Sequence, residues 1–248
     1  MTKDQVYSSK PERVRPSQVT TATSGSKFVG ATFLYLTLAL IVTFGVVAGL
    51  GSILRYAIFN GDAQDAEIFV KFFIGGIILY IPVMIWVNIA ACRQGRTVGP
   101  AFFAYSIVMG ILLSPICLLD MWTIVIAFGT TCLSFAVMAL IAWTTKKNLS
   151  GLAIFGFGLL MGALIISLFN FIITLITGQV TILYWLVSYL FFFAILILTV
   201  VDLHRVKQIA QSGMATKNLA IWCALNLYVD FIYIFIRILA IVASIRNK

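Results

Sequence analysis

The stretch Leu219–Val242, LAIWCALNLYVDFIYIFIRILAIV, decides how the chain is read. A helix rises about 1.5 Å per residue, so roughly 20 apolar residues cross about 30 Å of hydrocarbon and this stretch can span a bilayer. It nevertheless carries Asp230 and Arg237. Seven residues are close to two helical turns, which places Asn226, Asp230, Tyr233 and Arg237 on one face. A carboxylate or guanidinium costs at least about 2.5 kcal/mol at the centre of a span. That face is therefore expected to look at protein or water.

The rest of the chain has the same character. Of its 248 residues 62% are hydrophobic and only 10% charged, and the mean hydropathy of +1.08 exceeds what a water-soluble domain of this size tolerates. The apolar segments run for about 20 residues and do not alternate every second residue, so helices and not a barrel satisfy the backbone. The expectation is an all-α integral membrane protein, a single polytopic bundle without a separate soluble domain. The net charge of +9 is spread over short connections between apolar runs. It reads as membrane topology, and nucleic acid is not an expected partner. Cys92, Cys117, Cys132 and Cys223 have no CxxC spacing and read as small buried residues. His204 is the only histidine, which leaves histidine-rich metal sites and most histidine-based catalysis without material.

Met1–Lys27 is rich in Ser, Thr and Pro, holds five Lys and Arg, and reads as a disordered tail. Residues 28–248 form the expected seven-span domain. The spans are expected over Phe28–Leu54, Ile68–Ala91, Pro100–Leu119, Met121–Trp143, Gly151–Ile176, Thr181–Val201 and Leu219–Val242. Gly45 with Gly49, and Gly158 with Gly162, have the spacing of close-packing seams. Pro82 and Pro115 fall inside the second and third spans, where a proline kinks a helix. Asp62, Asp65 and Glu67 fall in the first connection, and His204–Asn218 reads as a polar connection after the sixth span. Ser167, Asn170 and Thr174 make a polar stripe expected to face the bundle interior.

With the tail in the cytoplasm, twelve of the seventeen Lys and Arg lie on the inner side. Four lie outside and Arg237 lies within the last span. This favours an N-in, C-out orientation. Arg246 and Lys248 fit it less well, and a last segment that re-enters without crossing is the alternative. Trp122, Tyr184 and Trp185 at one face, with Trp143 and Trp222 at the other, read as interfacial anchors in the lipid bilayer.

Asp202 and Asp230 border or enter the membrane from the last two helices. Two carboxylates about 4 Å apart repel by roughly 4 kcal/mol at an effective dielectric near 20. Such a pair holds one proton between its members, titrates as a unit and makes a proton-sensitive latch. Alternatively, Asp202 caps its helix while Asp230 pairs with Arg237 or Arg93. On these boundaries Asp230 lies about 16 Å deep while Asp202 sits at the edge of its apolar run.

The segment ALNLYVDFIYIFIRIL, Ala224–Leu239, closely resembles the C-terminal signature of the transmembrane Bax-inhibitor-motif family. WTTKKNLSGL, Trp143–Leu152, resembles its fourth-to-fifth connection. The resemblance implies six helices around a central C-terminal helix and a pH-sensitive calcium leak. It maps the family's aspartate pair onto Asp202 and Asp230, as gate and as calcium ligands, and offers Arg93 as a cationic partner. Calcium is then the transported ion, no cofactor is implied, and any further oxygen ligands come from Asn170, Asn226, hydroxyls or backbone. It also implies a second possibility, a membrane-embedded regulator of cell death or of a membrane protease, acting on other membrane proteins without transport. The short C-terminal tail favours a prokaryotic plasma membrane over an organelle.

Enzyme readings find little support. Neither aspartate has the glycines of a GxGD protease motif, no histidine lies in a span to serve a rhomboid-type serine, and the last span offers Arg237 where a retinal lysine would be needed.

Overall fold

Every apolar run but the third becomes a helix longer than the run itself, because polar flanks continue the backbone hydrogen bonding past the hydrocarbon; the third ends early, at Leu113. The computed structural model describes residues 25–61, 63–93, 97–178, 182–213 and 215–246. Within them lie seven helices: α1 Gly25–Asn60, α2 Ala63–Arg93, α3 Val98–Leu113, α4 Met121–Thr144, α5 Ser150–Thr177, α6 Ile182–Gln211 and α7 Lys217–Arg246. All seven spans are long and apolar enough to cross a membrane, α3 with the short turn that follows it. The tail up to residue 24, Asp62 and Lys248 lie outside the described residues, as do the side chains of Cys92, Arg93 and Tyr184.

Several expected boundaries move. Lys27 already belongs to α1, and Asp65 and Glu67 lie at the start of α2, where Glu67 pairs with Lys71 one turn on at 2.8 Å. Pro82 sits inside an uninterrupted α2. Pro115 is not inside an α-helix. It opens a 3-10 segment, Ser114–Leu118, where its missing N–H leaves no bond unmade.

The largest shift is in α6, which runs ten residues beyond Val201 and takes His204 into the helix. Leu203 and Val206 are buried and Ala210 half-buried, while Arg205, Gln208 and Gln211 are exposed. The extension is thus amphipathic at helical spacing. Two of its side chains tie it to the end of α4, whose last carbonyls lack helical partners. His204, itself buried, donates from Nδ1 to the Ala142 carbonyl at 3.1 Å. Lys207 donates to the carbonyls of Trp143 and Thr145 at 2.6 and 2.9 Å. A cation at a helix C-terminus also meets the negative end of the macrodipole.

The start of α1 meets this same end of the bundle, with Gly25 against the backbone of Ala210. At the other end Arg246 pairs with Asp120 in the α3–α4 connection at 2.9 Å. The last helix, thirty residues long, therefore runs the full length of the bundle, and the re-entrant alternative does not hold.

Thirteen residues of α7 are buried. It packs on α1, α3, α4 and α6, while α2 packs on α1 and α3 and α5 packs on α6. Tyr228 sits at the centre of this packing, fully buried, with its ring edge-on to Phe102 and Tyr105. Its hydroxyl lies 2.7 Å from Thr43 Oγ1. The single Thr43 proton faces the carbonyls of Ala39 and Ser106, at 2.9 and 3.0 Å, so Tyr228 is the donor. One hydrogen-bonded knot thus joins α1, α3 and α7.

The expected glycine seams are not the ones used. Gly45, Gly49, Gly158 and Gly162 have open space where a Cβ would lie. The close approaches are made by Gly51 against Cys117, Gly110 against Thr43 and Val46, and Gly156 against Ile197 and Leu198. The cysteines are likewise mixed. Cys223 is buried, Cys117 is half-buried with its thiol 3.3 Å from the Val47 carbonyl, and Cys132 is exposed.

A Cβ at Gly110 would lie 2.7 Å from the Thr43 carbonyl, so Gly110→Ala should destabilise the protein by about 1–3 kcal/mol. Gly158→Ala should stay within about 0.5 kcal/mol of the parent. Thermal unfolding in detergent checks both, and equal effects would contradict this packing.

Candidate functional site

Because α2 does not pack closely along α7, a partly open gap remains between them, lined also by α3 and α6. It forms a cavity of about 220 Å³. Asp202 from α6 lines it together with Asn226, Asp230 and Tyr233 from α7, Asn88 and Tyr80 from α2, and Tyr105 from α3. The two aspartates expected to form a pair thus share one cavity, and Asp202 is near enough to act electrostatically on Asp230.

The extension of α6 brings them to a similar level. Asp202 lies nine residues from the end of α6 and Asp230 thirteen from the start of α7, or about 14 and 20 Å along their helices. The apparent difference in depth came from ending the sixth helix too early.

The two carboxyls differ in surroundings. Asp202 retains 23% of its side-chain exposure and meets Arg205, one turn on, at 3.6 Å. Arg205 in turn lies over the Trp222 ring at 5.8 Å. Asp230 Oδ2 is buried and has no hydrogen-bond partner. Thr199 lies beside Asp230, but its hydroxyl donates to the Ile195 carbonyl at 2.7 Å. A buried carboxylate oxygen left without a donor is costly, so this position calls for a proton or a cation.

The side-chain stripe on α7 divides. Asn226, Asp230 and Tyr233 face the cavity as expected. Arg237 does not join them: it turns to α6 and donates to Ser188 Oγ at 2.9 Å. It is therefore not the partner of Asp230. The side chain of Arg93 lies outside the described residues. The partner found for Asp202 is Arg205, which the sequence reading missed by ending the helix before it. Its spacing of three from Asp202 would have revealed it in a continuous helix.

Asn170 is half-buried on α5, which packs on α6, and it does not line this cavity. Asn88, a residue not singled out from the sequence, does. Its amide nitrogen donates to the Met84 carbonyl at 2.7 Å, which leaves its oxygen as an acceptor. Tyr80 and Tyr105 bring further hydroxyls, their rings 6.2 Å apart. The described residues hold no cluster of three or more His, Cys, Asp or Glu able to fix a metal ion. The cavity thus offers two carboxylates surrounded by amide and phenol oxygens.

Comparison with known proteins agrees with the motifs. The family described as inhibitor of apoptosis-promoting Bax1 matches residues 25–247. The chain is 32% identical over 184 residues to the inner membrane protein YbhL of Escherichia coli K12, covering 71% of this chain and 76% of that protein. It is 32% identical over 161 residues to an uncharacterized membrane protein of Streptococcus pyogenes serotype M1, covering 64% of this chain and 69% of that protein. A Lactococcus lactis protein, YrjE, is also 32% identical, over 164 residues and 68% of its length. No solved structure matches the chain.

If the cavity is water-filled, cysteines placed along it should react with a charged, membrane-impermeant thiol reagent. In a background without native cysteines, Asn226→Cys and Tyr233→Cys should label at least about tenfold faster than Ile234→Cys, whose position is fully buried. Equal rates at the three positions would rule out an aqueous cavity.

Proposed function

Because the chain belongs to the Bax-inhibitor family of multi-pass membrane proteins, we propose that it is a pH-sensitive calcium leak channel gated by Asp202 and Asp230. The observation that carries this reading is the juxtaposition of the two carboxyls in one cavity, one of them with an unpartnered buried oxygen. Two like charges in a partly enclosed space favour a state with one shared proton, which ties α6 to α7. Loss of that proton leaves two repelling carboxylates, which either part or admit a cation.

Calcium suits such a site, being a hard cation that takes six to eight oxygen ligands. Two carboxylates supply at most four, and the amide oxygens of Asn88 and Asn226 lie in the same cavity. Water completes the shell. So incomplete a protein shell fits passage better than storage.

In this reading the tail end of the bundle faces the cytoplasm of a bacterium. Lys146, Lys147, Arg205, Lys207 and Lys217 lie at that end, in keeping with the positive-inside rule. Arg205 has a role beyond orientation, because its pairing with Asp202 competes with the arrival of a second cation.

The test is calcium flux into dye-loaded proteoliposomes as pH is stepped from about 5 to 8, where a coupled carboxyl pair can titrate. The parent should pass calcium with a rate that changes across the range. In Asp202→Asn and Asp230→Asn the pH dependence should be abolished or shifted, since the remaining carboxyl titrates alone and no longer shares its proton. Absence of flux from the parent at every pH would overturn the channel reading in favour of a regulator that acts on other membrane proteins.

A further inference from the structure

Arg237 is a guanidinium within a membrane-spanning helix, and none of the described carboxylates pairs with it. Of the acidic residues at its end of the bundle, Asp120 is engaged by Arg246 and Glu67 by Lys71. Asp230 interacts with Asp202 and Thr199. The Ser188 hydroxyl takes one of the five guanidinium protons.

The surroundings of Arg237 form a groove between α6 and α7, with a volume of about 90 Å³, lined by Trp185, Ser188, Tyr189, Phe192, Ala240 and Ile241. Water occupies about 30 Å³ per molecule in the liquid, so the groove takes a group of a few heavy atoms and no more. Trp185, Tyr189 and Ile241 are exposed on the outer surface of the bundle, so the groove opens sideways to lipid. It is separate from the aspartate cavity, with which it shares no residue.

Depth identifies what can reach it. Arg237 lies nine residues before the end of α7 and Ser188 six after the start of α6, about 14 and 9 Å from those ends. A thirty-residue helix is about 45 Å long and overhangs 30 Å of hydrocarbon by about 7 Å at each end. The Arg237 backbone is then about 7 Å inside the hydrocarbon boundary, within reach of the headgroup layer for a long side chain that snorkels. Trp and Tyr are the residues that occupy this layer.

We infer that the α6–α7 groove is a binding site for the phosphodiester of an anionic phospholipid, with Arg237 as its ligand. The guanidinium presents paired donors to phosphate oxygens and one positive charge to one negative charge. Ser188 holds the guanidinium in place, and the exposed faces of Tyr189 and Ile241 lie against the acyl chains. A lipid with a net negative charge leaves the unit neutral, whereas a zwitterionic lipid adds a cation next to Arg237. Occupation of this seam by lipid would couple membrane composition to the packing of the two helices that carry the aspartates.

The experiment uses the full chain in vesicles containing a phosphatidylglycerol analogue, or a phosphatidylcholine analogue, with a photoreactive headgroup. Adducts from the phosphatidylglycerol probe should map to residues 185–192 or 237–241, with several-fold less from phosphatidylcholine. Arg237→Gln should lower the yield there about tenfold, the effect of losing one charge-assisted interaction, and Arg237→Lys should restore part of it. The site is overturned if wild-type adducts fall only elsewhere, a result that does not depend on any variant folding. It is overturned equally if both probes label alike, if Arg237→Gln labels like the parent, or if millimolar inorganic phosphate competes the adduct away and so reveals a site for free anion.

Discussion

A carboxylate inside a membrane-spanning bundle must be kept from lipid, and much of this fold can be understood as the means of doing so. Asp230 sits near the middle of α7, a helix whose other faces are buried against α1, α3, α4 and α6. The knot of Tyr228, Thr43 and Ser106 fixes the helix in rotation. With that rotation set, Asp230 can only point toward the gap beside α2. The gap is polar because Asn88, Asn226 and three tyrosines line it.

The second carboxyl reaches the same gap through a different device. The extension of α6 past its apolar run is tied to the end of α4 by His204 and Lys207, whose donors satisfy the terminal carbonyls of that helix. These contacts set the height and rotation of α6, and so place Asp202 in the cavity wall with Arg205 beside it. His204 thus acts in architecture, through Nδ1, and not in the site chemistry.

The two ends of the bundle are held differently. At the tail end, cations bond to helix carbonyls and pack on aromatic rings. At the far end, one exposed ion pair, Arg246 with Asp120, joins the last helix to the α3–α4 connection. An exposed pair is worth at most about 1 kcal/mol, whereas the buried tyrosine knot and the close glycine contacts lie deep in the packing. The rigid part of α7 is therefore its middle, on the side opposite the cavity. Movement between α6 and α7 would be least hindered on the side where both helices line the cavity.

The amino-acid sequence by itself determined that the chain crosses a membrane seven times and that Asn226, Asp230 and Tyr233 share a face. It also determined the family, through Ala224–Leu239 and Trp143–Leu152. Length and helical period are enough for these, because each is a local property. It did not determine which glycines make close contact, where α6 ends, or which way Arg237 turns. In a bilayer the lipid-facing and protein-facing sides of a helix are both apolar, so hydrophobicity does not mark the inward face, and Gly45 reads no differently from Gly51. Past Val201 the signal changes from a continuous apolar run to the amphipathic spacing of Leu203, Val206 and Ala210, which a search for apolar length overlooks. Arg237 lay on the same stripe as Asp230, but a long side chain chooses among neighbours that only packing supplies, and Ser188 of α6 was the neighbour in reach. Tertiary structure decided those points because each depends on which helix lies beside which.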